Sequence, residues 1–214
     1  MAKPRSYSGT DIDISFDMSR CIHSRNCFLS LPQVFDPARK PWVDPDAVPA
    51  EEVAAMIRTC PSGALQFTRK DGGAEERPAG INRVRIQENG PLELTGDLRL
   101  NGEGHTRLTL CRCGASKNKP FCDSAHKEAG FAATGMPPAS DKDSGGNEIG
   151  AVLEIRPVPN GPLGLVGPME VTDATGGRIA RGEKLFFCRC GQSANKPFCD
   201  GSHKAAGFSA PAEE

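Results

Sequence analysis

The sequence predicts an α+β fold of three small modules, the second and third rich in strand, and three observations carry that prediction. Val, Ile, Leu and Phe make up only 41 of 214 residues, against 24 Gly and 18 Pro, so no single large core can form. The nine cysteines fall in three groups of three: Cys21, Cys27 and Cys60; Cys111, Cys113 and Cys122; Cys188, Cys190 and Cys199. The segment Cys111 to Phe131 recurs without a gap as Cys188 to Phe208, with sixteen of twenty-one positions identical, which marks a duplication. Core-poor modules of this size need staples, and the cysteines are placed to supply them.

Each element follows from local pattern. Ile12, Ile14 and Phe16 alternate as a strand before Cys21. Pro49 with Glu51 and Glu52 opens a helix whose Val53, Met56, Ile57 and Cys60 share an apolar face, so Cys60 is expected to point inward. The polar stretch Lys70 to Gly80 closes the first third. In the repeats, Leu108-Thr109-Leu110 and Leu185-Phe186-Phe187 read as short strands running into Cys-x-Cys, where residues two apart face one side and both thiolates reach one metal. Asn89-Gly90-Pro91-Leu92 matches Asn160-Gly161-Pro162-Leu163, with six more residues in the second copy before its first cysteine; Gly176-Gly177 marks a longer hairpin turn there. Pro120 and Pro197 fix a turn, after which Cys122 and His126, like Cys199 and His203, have the i,i+4 spacing that puts both on one helix face. Asp123 and Asp200 suit the start of that helix. Thr134 to Asn147 reads as a linker. The expected modules are residues 10–70, 80–135 and 148–210.

Composition excludes several classes. A formal charge of −1 and a pI near 6.4 argue against a nucleic-acid partner. No run approaches eighteen apolar residues, so no membrane span is expected, and the start of the chain shows no secretory signal. An odd number of cysteines without an export signal points to the cytoplasm and to metal ligands rather than disulfides. No Ser/His/Asp arrangement or phosphate-binding glycine loop is present, Gly145-Gly146-Asn147 and Gly176-Gly177 lacking the context such loops require, so the chain is not expected to be an enzyme. Arg112, Lys117, Lys119 and Lys127, with Arg189, Lys196 and Lys204, are expected on a solvated face; the alternative is that they offset metal-site charge and steer an acidic partner. His105 is expected in a surface loop, and the lone Trp42 and Tyr7 are expected to serve packing rather than an electron path.

Three Cys and one His per repeat would suit a structural zinc, but zinc sites commonly use Cys-x₂₋₄-Cys pairs, whereas here the pair is Cys-x-Cys. The run Cys188-x-Cys190-x₂-Ser193-x₃-Pro197-x-Cys199-Asp200-Gly201-Ser202-His203 resembles the signature of the CDGSH iron–sulfur domain family, to which mitoNEET belongs. The first copy keeps Ser116, Pro120 and Asp123 but reads Cys-Asp-Ser-Ala-His, which alters the turn at Ser124 and the hydroxyl at Ala125 rather than the ligands. The resemblance implies a [2Fe–2S] cluster in each copy, held by Cys111 and Cys113 on one iron and Cys122 and His126 on the other, and likewise by Cys188, Cys190, Cys199 and His203. A neutral imidazole in place of a thiolate makes such a cluster easier to reduce than a four-cysteine site, and mild acid competes for the ring. The family's members are homodimers of β-rich subunits, so the two copies are expected to form an internal pseudo-twofold within a monomer.

Cys21-x₅-Cys27 followed by a distant Cys60-Pro61 resembles half of a bacterial ferredoxin with one cysteine missing, its place taken by Ser24. Residues from about Asp11 to Arg69 resemble the divergent single-cluster ferredoxin-like domain, which implies a small βαβ module. Three cysteines suit a [3Fe–4S] cluster; a [4Fe–4S] cluster would need a fourth ligand from His23, Ser24 or solvent. Three simply buried cysteines are the remaining alternative. The expected function is single-electron transfer between partner proteins, with cluster storage or delivery to apo iron–sulfur proteins, or redox and pH sensing, as the second reading, and a zinc-stapled interaction module as the third.

Overall fold

The structure is a computed structural model that describes residues 3–139 and 148–210. The chain divides into two units, one ending at Arg77 and one beginning at Pro78.

In the first unit, β1 (Arg5–Ser8), β2 (Ile12–Phe16) and β3 (Leu65–Arg69) form an antiparallel sheet in the order β1-β2-β3. Between β2 and β3 run the short helix α1 (Asn26–Ser30) and the helix α2 (Ala50–Ile57). Strand β1 is polar and mostly exposed, so no apolar alternation marks it. Ile14 pairs with Phe67 and Phe16 with Leu65, and Val53, Ala54, Met56 and Ile57 of α2 close over that face. Helix α2 starts after Pro49, whose extended backbone ends the preceding chain, and carries Glu51 and Glu52 where the helix dipole favours them. It stops at Ile57, short of the expected Cys60: Pro61 disfavours helical backbone at the residue before it, and the Cys60 amide bonds Ile57 O (2.9 Å) in a turn. Trp42 and Tyr7, far apart in sequence, meet at a ring separation of 6.4 Å, and Trp42 packs edge-on against Phe16 at 5.0 Å.

The second unit is a six-stranded sheet to which both repeats contribute: β4 (Arg83–Ile86), β5 (Leu92–Leu100), β6 (Glu103–Leu110), β7 (Val152–Pro157), β8 (Leu163–Thr172) and β9 (Arg178–Phe187). Within the first repeat β5 pairs antiparallel with β4 and β6; within the second, β8 pairs antiparallel with β7 and β9. Across repeats, β4 runs parallel to β8 and β7 parallel to β5. Strands β5 and β8 each change neighbour partway, where the register shifts between Thr95 and Leu98 and between Val166 and Met169. The exchanged strands bury one continuous core, from Leu92, Leu94 and Leu98 to Leu163, Leu165 and Phe187, which explains how so few aliphatic residues suffice. The expected long hairpin in the second copy is the β8–β9 turn, closed by Asp173 N to Gly177 O (2.8 Å). His105 lies in β6 opposite Leu98, not in a loop, because β6 extends well beyond the three residues its apolar pattern marked. Of the expected linker, residues 140–147 lie outside the described residues.

Candidate metal centres

In each repeat the outgoing strand leads directly into Cys-x-Cys, and the second ligand segment folds back alongside it. Cys111 N bonds Pro120 O (2.8 Å) and Cys122 N bonds Thr109 O (3.0 Å); Cys188 N bonds Pro197 O (2.9 Å) and Cys199 N bonds Phe186 O (2.9 Å). The buried Ser116 and Ser193 hydroxyls donate to Phe121 O and Phe198 O (both 2.7 Å) across the same turns. Asp123 accepts from the amides of Lys117 (2.8 Å) and Ala125 (3.0 Å), tying the loop after Cys113 to the segment after Cys122. Asp200 does the same with Ala194 (2.8 Å) and Ser202 (2.9 Å), and also accepts from the Ser202 hydroxyl, which helps hold its carboxyl below the usual carboxylate range.

The i,i+4 pairs are not on a shared helix. Helix α3 (Ala125–Glu128) begins after Cys122, and the Cys199 to His203 segment is a run of turns. What interrupts the helix is a left-handed residue two positions after the cysteine, Ser124 (φ 70°) or Gly201 (φ 91°), whose amide donates to the cysteine sulfur at 3.4 Å in both copies. Glycine takes this conformation without cost, serine does not. Ser124→Gly is therefore expected to stabilise the second unit by about 0.5–1 kcal/mol, read from the midpoint of denaturant unfolding; an unchanged or lower midpoint contradicts it.

The donors stand in two close pairs per repeat. The Sγ atoms of Cys111 and Cys113 are 3.7 Å apart, and those of Cys188 and Cys190 3.8 Å; Cys122 Sγ is 3.5 Å from His126 Nδ1, and Cys199 Sγ 3.4 Å from His203 Nδ1. Sulfur about 2.3 Å and nitrogen about 2.0 Å from a tetrahedral metal stand about 3.8 Å (S to S) or 3.5 Å (S to N) apart, so each pair matches one edge of a tetrahedron. Among the described residues no three His, Cys, Asp or Glu side chains close on one point as ligands of a single ion would. Each pair is spaced as two donors to one metal would be. Further amides, of Ala115 and Gln192, donate to Cys113 and Cys190 sulfur at 3.4 Å. Burial pushes the Cys122 thiol up to about 11, while the contact with Cys111 draws Cys113 down to about 6. Burial also holds the half-exposed His126 ring below its ordinary value, in the neutral form that coordinates metal.

Two features of this site escaped sequence reasoning. Arg112 and Arg189, expected on a solvated face, are each 1% exposed. Arg112 sits between Cys111 and Cys113 and donates to Gly90, Gln87, Thr134 and Ala133 carbonyls, with Phe131 against its plane; Arg189 donates to Gly161, Val158 and Ala210 carbonyls, with Phe208 against its plane. The sequence signal was their identical place in both Cys-Arg-Cys copies. Lys119 and Lys196 likewise turn back to the Ser116 and Ser193 carbonyls. Second, the two ligand loops touch each other. A Cβ at Gly114 would lie 2.5 Å from Cys190 O, and one at Gly191 2.3 Å from Cys113 O; both glycines have φ near 80°.

In the first unit Cys21, Cys27 and Cys60, all half-buried, line one cavity of about 1090 Å³ together with His23 and Ser24. Asn26 Nδ2 bonds Thr59 O (3.1 Å), fastening the Cys27 loop to the Cys60 turn. Cys21 Sγ lies 4.0 Å from His23 Nδ1, and burial raises the Cys21 and Cys27 thiols.

Family models match on both sides of the unit boundary: one described as a divergent 4Fe-4S mono-cluster over residues 7–70, and one described as an iron-binding zinc finger of CDGSH type over residues 89–127 and 160–204. The first unit belongs to the divergent mono-cluster family and the second to the CDGSH family. The mono-cluster part is also 44% identical over 66 residues to the uncharacterized protein YjdI of Escherichia coli, in strains K12 and O157:H7; the match covers 31% of this chain and 87% of that protein. No solved structure matches the chain. The CDGSH and mono-cluster matches support iron–sulfur binding, and the structure is strand-rich and of mixed α+β class. Among the described residues no helix is long and apolar enough to cross a membrane.

Proposed function

We propose that the chain is a single-electron carrier with two [2Fe–2S] clusters in its CDGSH repeats and one ferredoxin-like cluster in its first unit, working between partner proteins in the cytoplasm rather than converting a substrate. The observation that carries this reading is the pairing of donors into two tetrahedral edges per repeat on the Cys-x-Cys and Cys-x₃-His spacing of the matched family, one edge for each of two bridged irons. Cys111 and Cys113 would hold one iron and Cys122 and His126 the other, with Cys188, Cys190, Cys199 and His203 in the same roles. The reciprocal exchange of β4 and β7 between repeats supports an internal pseudo-dimer, with modules at 10–70, 80–135 and 148–210. In the first unit Cys21, Cys27 and Cys60 supply three thiolates, for which a [3Fe–4S] cluster is the reading; His23 or Ser24 would complete a [4Fe–4S] cluster, the type the family description names. The bound clusters supply the one-electron chemistry. The protein's residues fix their ligands, donate amides to the sulfurs and limit water.

A second reading, delivery of clusters to apo iron–sulfur proteins or pH sensing, draws on the half-exposed His126 and His203, since a ligand within reach of water is the place where a cluster detaches.

Iron and acid-labile sulfide on anaerobically isolated protein, with low-temperature EPR, test the proposal. About seven irons per chain are expected for two two-iron clusters and a three-iron one, and Cys199→Ala should remove one [2Fe–2S] cluster and leave the first unit's signal intact. Zinc in place of iron, without sulfide, sinks the reading. Transfer of iron and sulfide to an apo-ferredoxin on mixing would favour the second.

A further inference from the structure

The cavity that gathers Cys21, Cys27 and Cys60 is far larger than a cluster requires. An iron–sulfur cube has eight atoms, and at about 30 Å³ each, the volume share of a water molecule, they take about 240 Å³; the cavity measures about 1090 Å³, at the upper end of the range for sites that hold organic ligands. Its wall has two chemical characters. Tyr7, Phe16 and Trp42 form an edge-to-face aromatic surface on which the half-buried Trp42 indole is the centrepiece. Around them stand Arg5, Arg25, Arg39 and Lys40, with no aspartate or glutamate among the lining residues. Arg39 is fixed to the wall by the carbonyls of Gln33, Val34 and Pro41, whereas Arg5, Arg25 and Lys40 are exposed and in no ion pair among the described residues. Three thiolates around iron offset part of this charge. The remainder is carried by the exposed Arg5, Arg25 and Lys40.

We propose that the part of the cavity a cluster leaves open binds a small planar anion, an aromatic or heteroaromatic carboxylate, with its ring against Trp42 and its charge facing Arg5, Arg25 and Lys40. The inference rests on the cluster reading of the first unit for the volume already filled. A ring edge or face against indole and a charge-assisted bond to a cation reinforce each other, since the apolar wall lowers the local dielectric in which the anion is held. Bound there, such a ligand would lie beside the cluster and change its surroundings.

Titration calorimetry of the anaerobically isolated full-length protein tests this with naphthalene-2-carboxylate as the probe, against neutral naphthalene-2-methanol and non-aromatic cyclohexanecarboxylate. Saturable binding of the naphthoate, at least about tenfold tighter than of either comparator, is expected, together with a change in the EPR line shape of the first unit's cluster. The double variant Arg5→Glu, Lys40→Glu alters exposed residues only and should weaken naphthoate by about tenfold or more while leaving the neutral compound unaffected. Absence of binding, equal binding of the neutral isostere, or indifference to the charge reversal each overturns the proposal. Binding that survives in protein whose first unit contains no iron supports the cavity and counts against the cluster reading alone.

Discussion

Arg189→Ala is expected to destabilise the second unit by about 2–3 kcal/mol, from the loss of charge-assisted hydrogen bonds and of a buried side chain's packing. The guanidinium is 1% exposed and holds three carbonyls, of Gly161, Val158 and Ala210, that converge from separate stretches of chain. Alanine takes the Arg189 donor from Gly161 O, leaves Val158 O and Ala210 O with only the amides of Gly161 (3.0 Å) and Asn160 (2.8 Å), and opens a void against Phe208. Arg189→Lys keeps the charge but has no planar fork to reach all three, so it should recover only part of the loss. Denaturant unfolding monitored by circular dichroism measures both variants, and a change below about 1 kcal/mol for alanine would show that the arginine is replaceable. Because Arg189 lies between Cys188 and Cys190, the alanine variant should also lose its visible absorption faster in the second repeat than in the first.

The other large effect concerns the imidazole ligand. With the proposed ligation, His203→Cys would exchange a neutral donor for an anionic one and make the second-repeat cluster more negative and harder to reduce. Two imidazoles separate Rieske from plant-type centres by several hundred millivolts, so one exchange should lower the potential on the order of 100–300 mV. The same change removes the ring that protons compete for, and loss of cluster absorbance in mild acid should slow. Mediated redox titration and stopped-flow acid jumps read the two consequences separately. A potential that stays within a few tens of millivolts of the parent would take His203 out of the coordination shell.

How much of this was legible in the sequence depends on what kind of interaction each part rests on. The duplication, the cysteines and histidines that meet in close pairs, and the long β8–β9 hairpin were visible because they are written in spacing and identity along the chain. The alternation of Ile12, Ile14 and Phe16 marked β2 for the same reason. Strand β1 was not, since its residues are polar and it forms by pairing with β2, a partner supplied from outside the segment. The i,i+4 spacing of Cys122 and His126 suggested a helix, but the left-handed backbone at Ser124 breaks it, and periodicity alone does not register a single reversed residue. Arg112 and Arg189 were misplaced because charge was taken as a sign of exposure. Their carbonyl partners lie 21 to 31 residues away, and only the folded chain brings them together. Tyr7 and Trp42 met for the same reason.

The contact of Gly114 with Cys190 and of Gly191 with Cys113 limits how far the two halves can drift apart. The copies already differ at Ala115 and Gln192, at Lys117 and Ala194, and at Ser124 and Gly201, all positions to the side of the seam. At the seam itself there is room for hydrogen alone, so a mutation there in one half would have to be answered by a backbone movement in the other. The two halves thus meet there peptide against peptide, a junction that side-chain rotation cannot loosen.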